Sequence, residues 1–475
     1  MWTLGVLSLM YAASMLLPAG VDLLYNDPHA LAFGEAAVIS MLCGGLLFYF
    51  GRRPETITIR DGFLIVALTW LLMTLLGAIP FWLDDISYDV INDLFESASG
   101  LTTTGATTLS GLDTMDHGIL FWRSLQQWIG GMGMIVFGVA VLPMLGIGGM
   151  QLFRAEAPGP VKDKISSRVT GTAKVLWLIY LAMTSSVTLA YHFAGMDWFD
   201  ALNHGMTTVA TGGFSTHDAS FGYFQSHLVW YIATIFMFLA GINFTLHFAA
   251  ARRGFSLRTY LRDEEFRTYL SWVVLLVFVI WLLLVTEGHG SSENFAEVLF
   301  NTVSVITSTG FAVSDFNSWP SGTVILLFLA MFVGGCAGST AGGIKVVRIL
   351  MLFRQGKHEI FKMLHPRAIV NVKINNMILS SSMMNAVWGF VVMYLFSYAL
   401  ITFVVAMSGV APLTALSATI ACVSNIGPGF NEVGPANTYA SLPHMAILAL
   451  TFGMILGRLE IFTLLALLTP MFWRK

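Results

Sequence analysis

The chain has 475 residues, of which 56% are hydrophobic and only 11% are charged, and its net charge is −3. Its mean hydropathy of +0.74 lies far above that of soluble domains, so we predict an all-α protein that crosses a membrane many times. No soluble domain of useful length is present, which excludes ATP hydrolysis by this chain, and no nucleic-acid partner is expected.

The predicted spans follow from the length of the apolar stretches, because a helix needs about 20 mainly apolar residues to cross a bilayer. Ten stretches satisfy this requirement: 3–24, 31–50, 63–83, 118–149, 174–195, 227–250, 270–286, 321–352, 380–407 and 442–471. Two spans lead the chain, and a repeated unit follows four times. The predicted divisions are residues 1–55, 56–150, 151–255, 256–358 and 359–475.

Basic residues predict the orientation of these spans. Of the 24 Lys and Arg residues, 22 lie in loops that follow an even number of spans or at the C-terminus, and acidic residues dominate the opposite loops. By the positive-inside rule, both termini are cytoplasmic. The acidic outer loops either concentrate cations or only reflect the depletion of basic residues outside, and the sequence favours neither interpretation.

Each repeated unit contains a span, a short half-apolar segment, a glycine turn and a second span. The short segments, about 12 residues each, are too short to cross a membrane and are typical of re-entrant helices. They cover 90–101, 198–210, 294–306 and 412–423. The turns that follow contain Gly105, Gly212, Gly310 and Gly427, at separations of 107, 98 and 117 residues.

Two spans per unit return the chain to its starting side, so all four units share one orientation. A pseudo-fourfold axis along the membrane normal then brings the four turns together, unlike the inverted repeats of many transporters. Glycine lets backbone carbonyls point inward, as in a site for a dehydrated alkali cation. The alternative is that these glycines only let helices pack closely.

Six segments carry a resemblance to a known family. The chain resembles the TrkH membrane subunit of the Trk/Ktr/HKT potassium transporter superfamily over essentially its full length, and the two leading helices are similar to TrkH rather than to KtrB. The segments are FESASGLTTTG (95–105), WRSLQQWIGG (122–131), MQLFRAE (150–156), ATGGFS (210–215), GSTAGGIK (338–345) and GRLE (457–460).

The resemblance implies potassium uptake across the bacterial cytoplasmic membrane, a homodimer, and a cytosolic TrkA-like nucleotide-binding ring that regulates transport. It also implies a single-glycine filter in each quadrant. Asn425 and Ile426 depart from the hydroxyl pattern of the other quadrants, which leaves the number of ion sites open. The main-chain ligands of potassium would come from Thr103, Thr104, Gly105, Ala210, Thr211, Gly212, Ser308, Thr309, Gly310, Asn425, Ile426 and Gly427.

A run of glycines interrupts the stretch 321–352. Five glycines within 334–343 should break a helix in mid-membrane, although a close-packing surface is the alternative. In proteins similar to TrkH this segment is a loop beneath the filter, so the resemblance implies a gate formed by Gly334, Gly335, Gly338, Gly342, Gly343 and Arg458.

Two arginines lie inside predicted spans, where charges are usually paired or functional. Arg123 is expected to form an ion pair with Asp93 or Glu96. For Arg458, the resemblance implies a positive charge in the pore below the filter, whereas a buried pair with Glu460 or Glu35 is the alternative.

Three functions are compatible with this sequence. The first is a channel-like potassium translocator gated from the cytoplasm, and the second is a proton- or sodium-coupled symporter on the same scaffold. Glu35 and Glu460 are the acidic residues placed well inside spans that coupling would require. The third, an intramembrane enzyme, has no support because the 11 histidines form no catalytic spacing. The protein is therefore predicted not to be an enzyme.

Overall fold

The computed structural model of the protein describes residues 1–51, 58–84, 86, 89–140, 165–254, 256–287, 294–367, 371–375 and 377–474. Helices dominate these residues, in agreement with the predicted all-α class. Segment 150–156 of the resemblance and most of the basic loop 154–174 lie outside the described residues. The predicted divisions of the chain stay predictions.

The N-terminal pair of spans is an antiparallel hairpin. Gly5 and Gly44 let the two helices approach closely, since a side chain at Gly44 would meet Leu9 N at 3.0 Å. In a membrane the hydrophobic effect does not drive helices together, and close packing at small residues stabilises the pair instead. The hairpin consists of Trp2–Ser14 and Leu16–Tyr25, which form one span, and of Ala30–Phe50.

The four repeats contain the predicted elements in the predicted order. Their first spans are Ile59–Leu83, Ile165–Phe193, Glu264–Thr286 and Ser381–Met407. The short helices are Val90–Leu101, Trp198–Val209, Asn294–Ile306 and Pro412–Val423. Each repeat then has a single-turn 3-10 helix: Leu112–Thr114, Ser220–Tyr223, Phe316–Ser318 and Asn431–Val433. The return helices begin as His117–Ala140, His227–Ala240, Ser321–Ala330 and His444–Arg458.

Local sequence signals explain why the short helices begin where they do. The side chain of Asp89 accepts a hydrogen bond from Ile91 N at the start of the first, and that of Asp197 accepts one from Asp200 N at the start of the second. Such caps satisfy amides that have no partner within the helix. The fourth begins with Pro412, whose missing N–H is harmless at a helix start.

Within the described residues, three of the four return helices are broken. The second bends by 94° between Ala240 and Phe244, and the fourth bends by 115° between Arg458 and Phe462. The third ends at Ala330 and resumes only at Val346, so the break predicted from the glycine run is confirmed. The breaks in the other two stretches, 227–250 and 442–471, were not anticipated from the sequence.

The segments after the breaks complete the fold. Among the described residues, six straight helices are long and apolar enough to cross a membrane, and the two bent pairs raise this number to eight. A short antiparallel hairpin pairs Lys373 with Ile378 and Ile374 with Met377. The remaining elements are Phe244–Arg252, Leu257–Arg262, Val346–Leu364, Lys373–Ile374, Met377–Ile378, Phe462–Leu468, Pro470–Trp473 and the 3-10 turn Tyr439–Ser441.

Candidate functional site

All four short helices end in the same hydrogen-bonded turn. In the first, Thr104 N donates to Ser99 O at 2.8 Å and Thr103 N donates to Gly100 O at 3.0 Å, which is the Schellman pattern. The other three repeat the longer bond at 2.8–2.9 Å, from Gly212 to Thr207, Thr309 to Ser304 and Ile426 to Ala421.

The left-handed position of each turn is not glycine, although glycine is the usual residue there. The φ angles at these positions lie between 51° and 53°, for Thr103, Thr211, Ser308 and Asn425. A side chain in this region is strained, most of all when it is β-branched as in threonine. A glycine with positive φ follows two residues later, at 81–101°, in Gly105, Gly213, Gly310 and Gly427. We call these four residues the glycine ring.

The second turn corrects the sequence prediction by one residue. The equivalent of Thr103, Thr104 and Gly105 is Thr211, Gly212 and Gly213, not the predicted set that starts at Ala210. Ala210 still has helical φ and ψ angles of −69° and −14° and caps the short helix. Two adjacent glycines made the register ambiguous in the sequence.

The four turns face one another in cyclic order. A Cβ atom built on any glycine of the ring would collide with, or lie within 2.7 Å of, a carbonyl oxygen from the next turn. Side chains therefore do not fit at these positions, and each turn lies against a carbonyl of the next turn in a closed circle. The contacts run from Gly105 to Gly212, Gly213 to Thr309, Gly310 to Ile426 and Gly427 to Thr104.

Side chains from the first return helix and from the 3-10 turn that precedes the fourth hold two of the turns in position. Gln127 donates to Gly212 O at 2.7 Å and accepts from Phe214 N at 3.1 Å. The Tyr439 hydroxyl donates to Gly427 O at 2.7 Å. We did not anticipate either residue from the sequence, although the amide pair at 126–127 within an apolar helix was a usable signal, since polar groups in spans are rarely idle.

Arg123 forms the ion pair predicted for it. Its Nε lies 2.8 Å from Glu96 Oε1, and both side chains are at most 1% exposed. The guanidinium also donates to Ser215 O at 3.0 Å and stacks 4.1 Å from the centre of the Phe214 ring. Glu96 also accepts from Thr108 N at 3.0 Å, just after the first turn. Since Arg123 bonds to Ser215 just after the second turn, the ion pair joins the first and second turns.

A buried loop, residues 331–345, lies directly below the glycine ring. Gly342 N donates to Ser308 Oγ, and a side chain at Gly342 would collide with Ser424 O. The Thr340 hydroxyl donates to Val209 O at 3.1 Å. The loop therefore touches the second, third and fourth quadrants. Among the predicted gate residues, positive φ angles of 73–77° require glycine at Gly334, Gly338 and Gly343.

Arg458 closes the contact with the first quadrant. Its Nη1 donates to Thr340 O in the buried loop at 2.9 Å, and its Nη2 donates to Gly130 O at 3.2 Å. The residue is 2% exposed. The alternative pairing with Glu460 or Glu35 is wrong, since Glu460 pairs with Arg348 and Glu35 is exposed.

Three charged residues around the buried loop were not anticipated from the sequence. Lys345 is buried and donates through Nζ to Ala341 O. Glu265 accepts from Ala337 N at 2.6 Å, and Arg348 follows the loop in the next helix. Lys345 is the last residue of the segment GSTAGGIK (338–345). A charged residue directly after the glycine run was a sequence signal that could have identified it.

A vestibule lies on the face of the glycine ring opposite the buried loop. It is lined by Gly105, Gly213 and Gly310 together with Arg123, Ser215, His217 and Asp218 among others. His217 lies 2.6 Å from Asp113 and 3.0 Å from Asp200. Burial disfavours the imidazolium form, but these two carboxylates outweigh burial and raise the pKa of His217.

Four parallel repeats that bring four glycine turns together in the membrane, with a charged buried loop beneath, define a cation-transport protein of the re-entrant pore-helix class. Comparison with known proteins agrees with this class. Residues 29–475 match the TrkH family model, described as a cation transport protein. The chain belongs to the TrkH family.

Relatives cover nearly the whole chain. The Trk system potassium uptake protein TrkH of Vibrio parahaemolyticus is 45% identical across 99% of this chain and 98% of its own, and that of Salmonella typhimurium is 44% identical with the same coverage. The Escherichia coli protein TrkG is 38% identical over 99% of this chain and 97% of its own. The crystal structure of the potassium transporter TrkH from Vibrio parahaemolyticus matches with a TM-score of 0.92 and 42% identity, covering 100% of this chain and 98% of that one.

Proposed function

We propose that this chain takes up potassium across the bacterial cytoplasmic membrane, with the glycine ring as its selectivity filter. The observation that carries the proposal is the cyclic contact between ring glycines and the carbonyls of the next turn. Carbonyl dipoles that converge on one place can replace the hydration shell of a monovalent cation. Relatives named as potassium uptake proteins support the choice of ion.

The proposed ligands are main-chain oxygens of the turns, with the second quadrant taken in its corrected register. They belong to Thr103, Thr104, Gly105, Thr211, Gly212, Gly213, Ser308, Thr309, Gly310, Asn425, Ile426 and Gly427. The hydrogen bonds from Gln127 and Tyr439 fix two of these peptide groups without blocking them, because a carbonyl oxygen has a second lone pair.

The buried loop with Arg458 serves as the gate in this proposal. It fills the space beneath the ring and places a guanidinium there, so it opposes a cation both sterically and electrostatically. Contacts with all four quadrants hold the loop in the closed position. Opening requires these contacts to break together.

Regulation is proposed to come from a cytosolic nucleotide-binding ring, and the functional unit is proposed to be a homodimer. The helix Val346–Leu364 continues directly from the buried loop. It exposes both apolar residues, such as Phe353 and Met363, and basic ones. A partner that pulls on this helix would act on the loop. The relatives' names place them in a Trk system.

Channel-like transport fits the described residues better than coupled transport. Of the two carboxylates that coupling would require, Glu460 is paired with Arg348 and Glu35 lies on an exposed helix face. The decisive measurement is the reversal potential in liposomes under separate potassium, sodium and proton gradients. A reversal potential that follows potassium alone supports the proposal. One that follows protons or sodium as well replaces it with the symporter.

A further inference from the structure

A tyrosine of the N-terminal hairpin reaches into the first repeat. Tyr11 is 3% exposed, and the centre of its ring lies 5.3 Å from that of Trp122 in the first return helix. Its hydroxyl accepts a hydrogen bond from Gln126 Nε2 at 3.1 Å. Trp122 and Gln126 are four residues apart, so they lie on the same face of that helix. Tyr11 therefore contacts this face through both its ring and its hydroxyl.

The carboxamide of Gln126 joins four elements of the fold at one buried point. Besides the Tyr11 hydroxyl, Nε2 lies 3.2 Å from Ser97 Oγ in the short helix and 3.3 Å from Gly77 O in the first span. Gln126 and Ser97 are both 0% exposed, so bulk water does not compete for these bonds. An amide nitrogen has two hydrogens, which are shared here among three acceptors. Loss of one acceptor therefore moves the amide toward the other two.

The same carboxamide lies against the end of the short helix. A Cβ atom built on Gly100 would lie 2.6 Å from Gln126 Oε1 and 3.1 Å from Gln126 Cβ, so the Gln126 side chain packs closely on the Gly100 main chain. The carbonyl of Gly100 accepts from Thr103 N at 3.0 Å, and this bond closes the first turn of the ring. Gln126 thus contacts the residue whose carbonyl closes the first turn.

The neighbouring amide on the same helix supports the second turn. Gln127 bonds directly to Gly212 O and Phe214 N. Two consecutive glutamines therefore serve two consecutive turns, Gln127 by hydrogen bonds to the turn and Gln126 by packing against its base. The two side chains differ in their link to the rest of the fold, since Gln126 is bonded to the N-terminal hairpin through Tyr11.

We propose that Tyr11 is a positioning residue of the filter, which fixes the carboxamide of Gln126 and, through it, the first turn of the ring. The inference rests on the proposed function, in which the ring is the selectivity filter. Without the Tyr11 hydroxyl, the amide moves toward its two remaining acceptors, which changes its contact with Gly100. The carbonyls of the first turn shift with this contact. The N-terminal hairpin, which lies outside the four repeats, thereby takes part in ion selection.

The test compares Tyr11→Phe with the unmodified full-length chain in liposomes. Phenylalanine keeps the ring that packs on Trp122 and removes only the hydroxyl. The reversal potential with potassium on one side and sodium on the other gives the permeability ratio, and Tm checks that the variant is folded. The matched control is Ser40→Ala, which removes another buried hydroxyl of the hairpin. That hydroxyl donates to Met15 Sδ at 3.6 Å, so its bond stays within the hairpin.

We expect Tyr11→Phe to lower the ratio of potassium to sodium permeability. The loss should be smaller than in the ring variant Gly105→Ala, whose side chain would collide with Gly212 O. Ser40→Ala should keep the ratio of the unmodified chain. Because Tyr11 acts through Gln126, the variant Gln126→Met should lower the ratio as well, and adding Tyr11→Phe to it should cause no further loss.

Three results would overturn the inference and leave the proposed filter intact, provided that Gly105→Ala lowers the ratio. The first is an unchanged ratio in Tyr11→Phe. The second is an equal loss in Ser40→Ala, which would show that the hairpin acts through stability alone. The third is an undiminished further loss when Tyr11→Phe is added to Gln126→Met, since Tyr11 would then act independently of Gln126. If Gly105→Ala also keeps the ratio, the proposed filter fails, and this inference fails with it.

Discussion

The glycine ring and the buried loop below it are both glycine-rich, yet they are built differently. The ring repeats one hydrogen-bond pattern in four quadrants. Among the described residues, the loop occurs only in the third repeat, and its contacts do not repeat one pattern. The Gly342 amide donates to the Ser308 hydroxyl, the Thr340 hydroxyl donates to Val209 O, and the Thr340 carbonyl accepts from Arg458.

This difference suggests a division of roles. A small cation held by four quadrants needs similar ligands on every side, which repetition provides. A gate must move, and a segment present in one repeat can move without changing the other three. Selectivity and opening should therefore respond to different substitutions, and the predictions below test that separation in order of expected effect.

The largest effect is expected from breaking the buried pair that joins two quadrants of the ring. Glu96→Gln leaves Arg123 buried without its counter-ion, which typically costs about 3–5 kcal/mol. We expect a marked fall in Tm of the purified chain, measured by intrinsic fluorescence. The control is Glu432→Gln, at an exposed outer position. A Tm equal to that of the control would show that the pair does not support the ring.

The next effect concerns the corrected register of the second turn. Gly213→Ala places a side chain at φ 81° and against Thr309 O, and the left-handed conformation alone costs roughly 1–2 kcal/mol. The turn must shift to relieve this strain, which displaces the carbonyls that surround the ion. The ratio of potassium to sodium flux in liposomes should therefore fall.

Two further variants sharpen this test. Gly212→Ala meets mainly the flexible end of Gln127 and has no positive φ, so it should be milder. Gly356→Ala meets nothing within 4 Å and serves as the control. A larger loss of selectivity at Gly212 than at Gly213 would restore the register predicted from the sequence.

Removal of Arg458 should raise flux and leave selectivity unchanged. A unit charge about 4 Å from a permeating ion costs roughly 4 kcal/mol at an effective dielectric of 20, and water and side-chain movement reduce this cost. We expect a several-fold increase in potassium uptake for Arg458→Ala in transport-deficient cells, and little change for Arg458→Lys, which keeps the charge.

Shortening the buried loop should act on the same barrier as Arg458→Ala. Potassium uptake by the double variant should therefore be higher than that of either single variant, but its fold-increase should be smaller than the product of the two single fold-increases. Protein inserted at normal levels whose potassium uptake is unchanged or lower would show that neither element is a barrier. An altered flux ratio of potassium to sodium would contradict the separation of roles.

The smallest effect is expected from pH at the vestibule. The pKa of His217 is raised, so its bridge between Asp113 and Asp200 stabilises the fold fully below the unfolded value of about 6.5 and is lost as the pH rises through the folded value. Tm should therefore decrease from pH 6 to pH 9 more in the unmodified chain than in His217→Gln. The control is His227→Gln, at an exposed position. If Tm depends on pH identically in the unmodified chain, His217→Gln and His227→Gln, the bridge is contradicted.

The short helices could be predicted closely because their signals are local. Caps such as Asp89 and Pro412 mark their starts, and a glycine turn marks each end. Three of the four bounds agree with the structure at both ends, and the second differs by one residue, at Ala210. The one-residue difference in the register of the second turn arose from a Gly-Gly pair, which offers two registers of equal local cost.

The bend of the fourth return helix could not be predicted, because it depends on a contact between residues that are distant in the chain. Glu460 and Ile461 have positive φ angles of 52° and 57° without being glycine, and local propensity argues against this conformation. The Glu460 side chain pairs with Arg348, 112 positions earlier. Only the folded protein brings these residues together, and the same applies to the partners of Arg458.

The position of the fourth turn in the ring explains why it has Asn425 where the other turns have a hydroxyl residue. Three neighbouring pairs of quadrants are consecutive in the chain, whereas the first and the fourth are its opposite ends and meet only by packing. Asn425 lies at this seam, where its amide donates to Thr104 Oγ1 at 2.9 Å.

Tyr439 N adds a bond to Thr107 O at 2.8 Å across the same seam. Asparagine also tolerates the left-handed conformation better than threonine does. Of the four left-handed positions, the one with an amide side chain therefore lies where covalent continuity of the circle is missing.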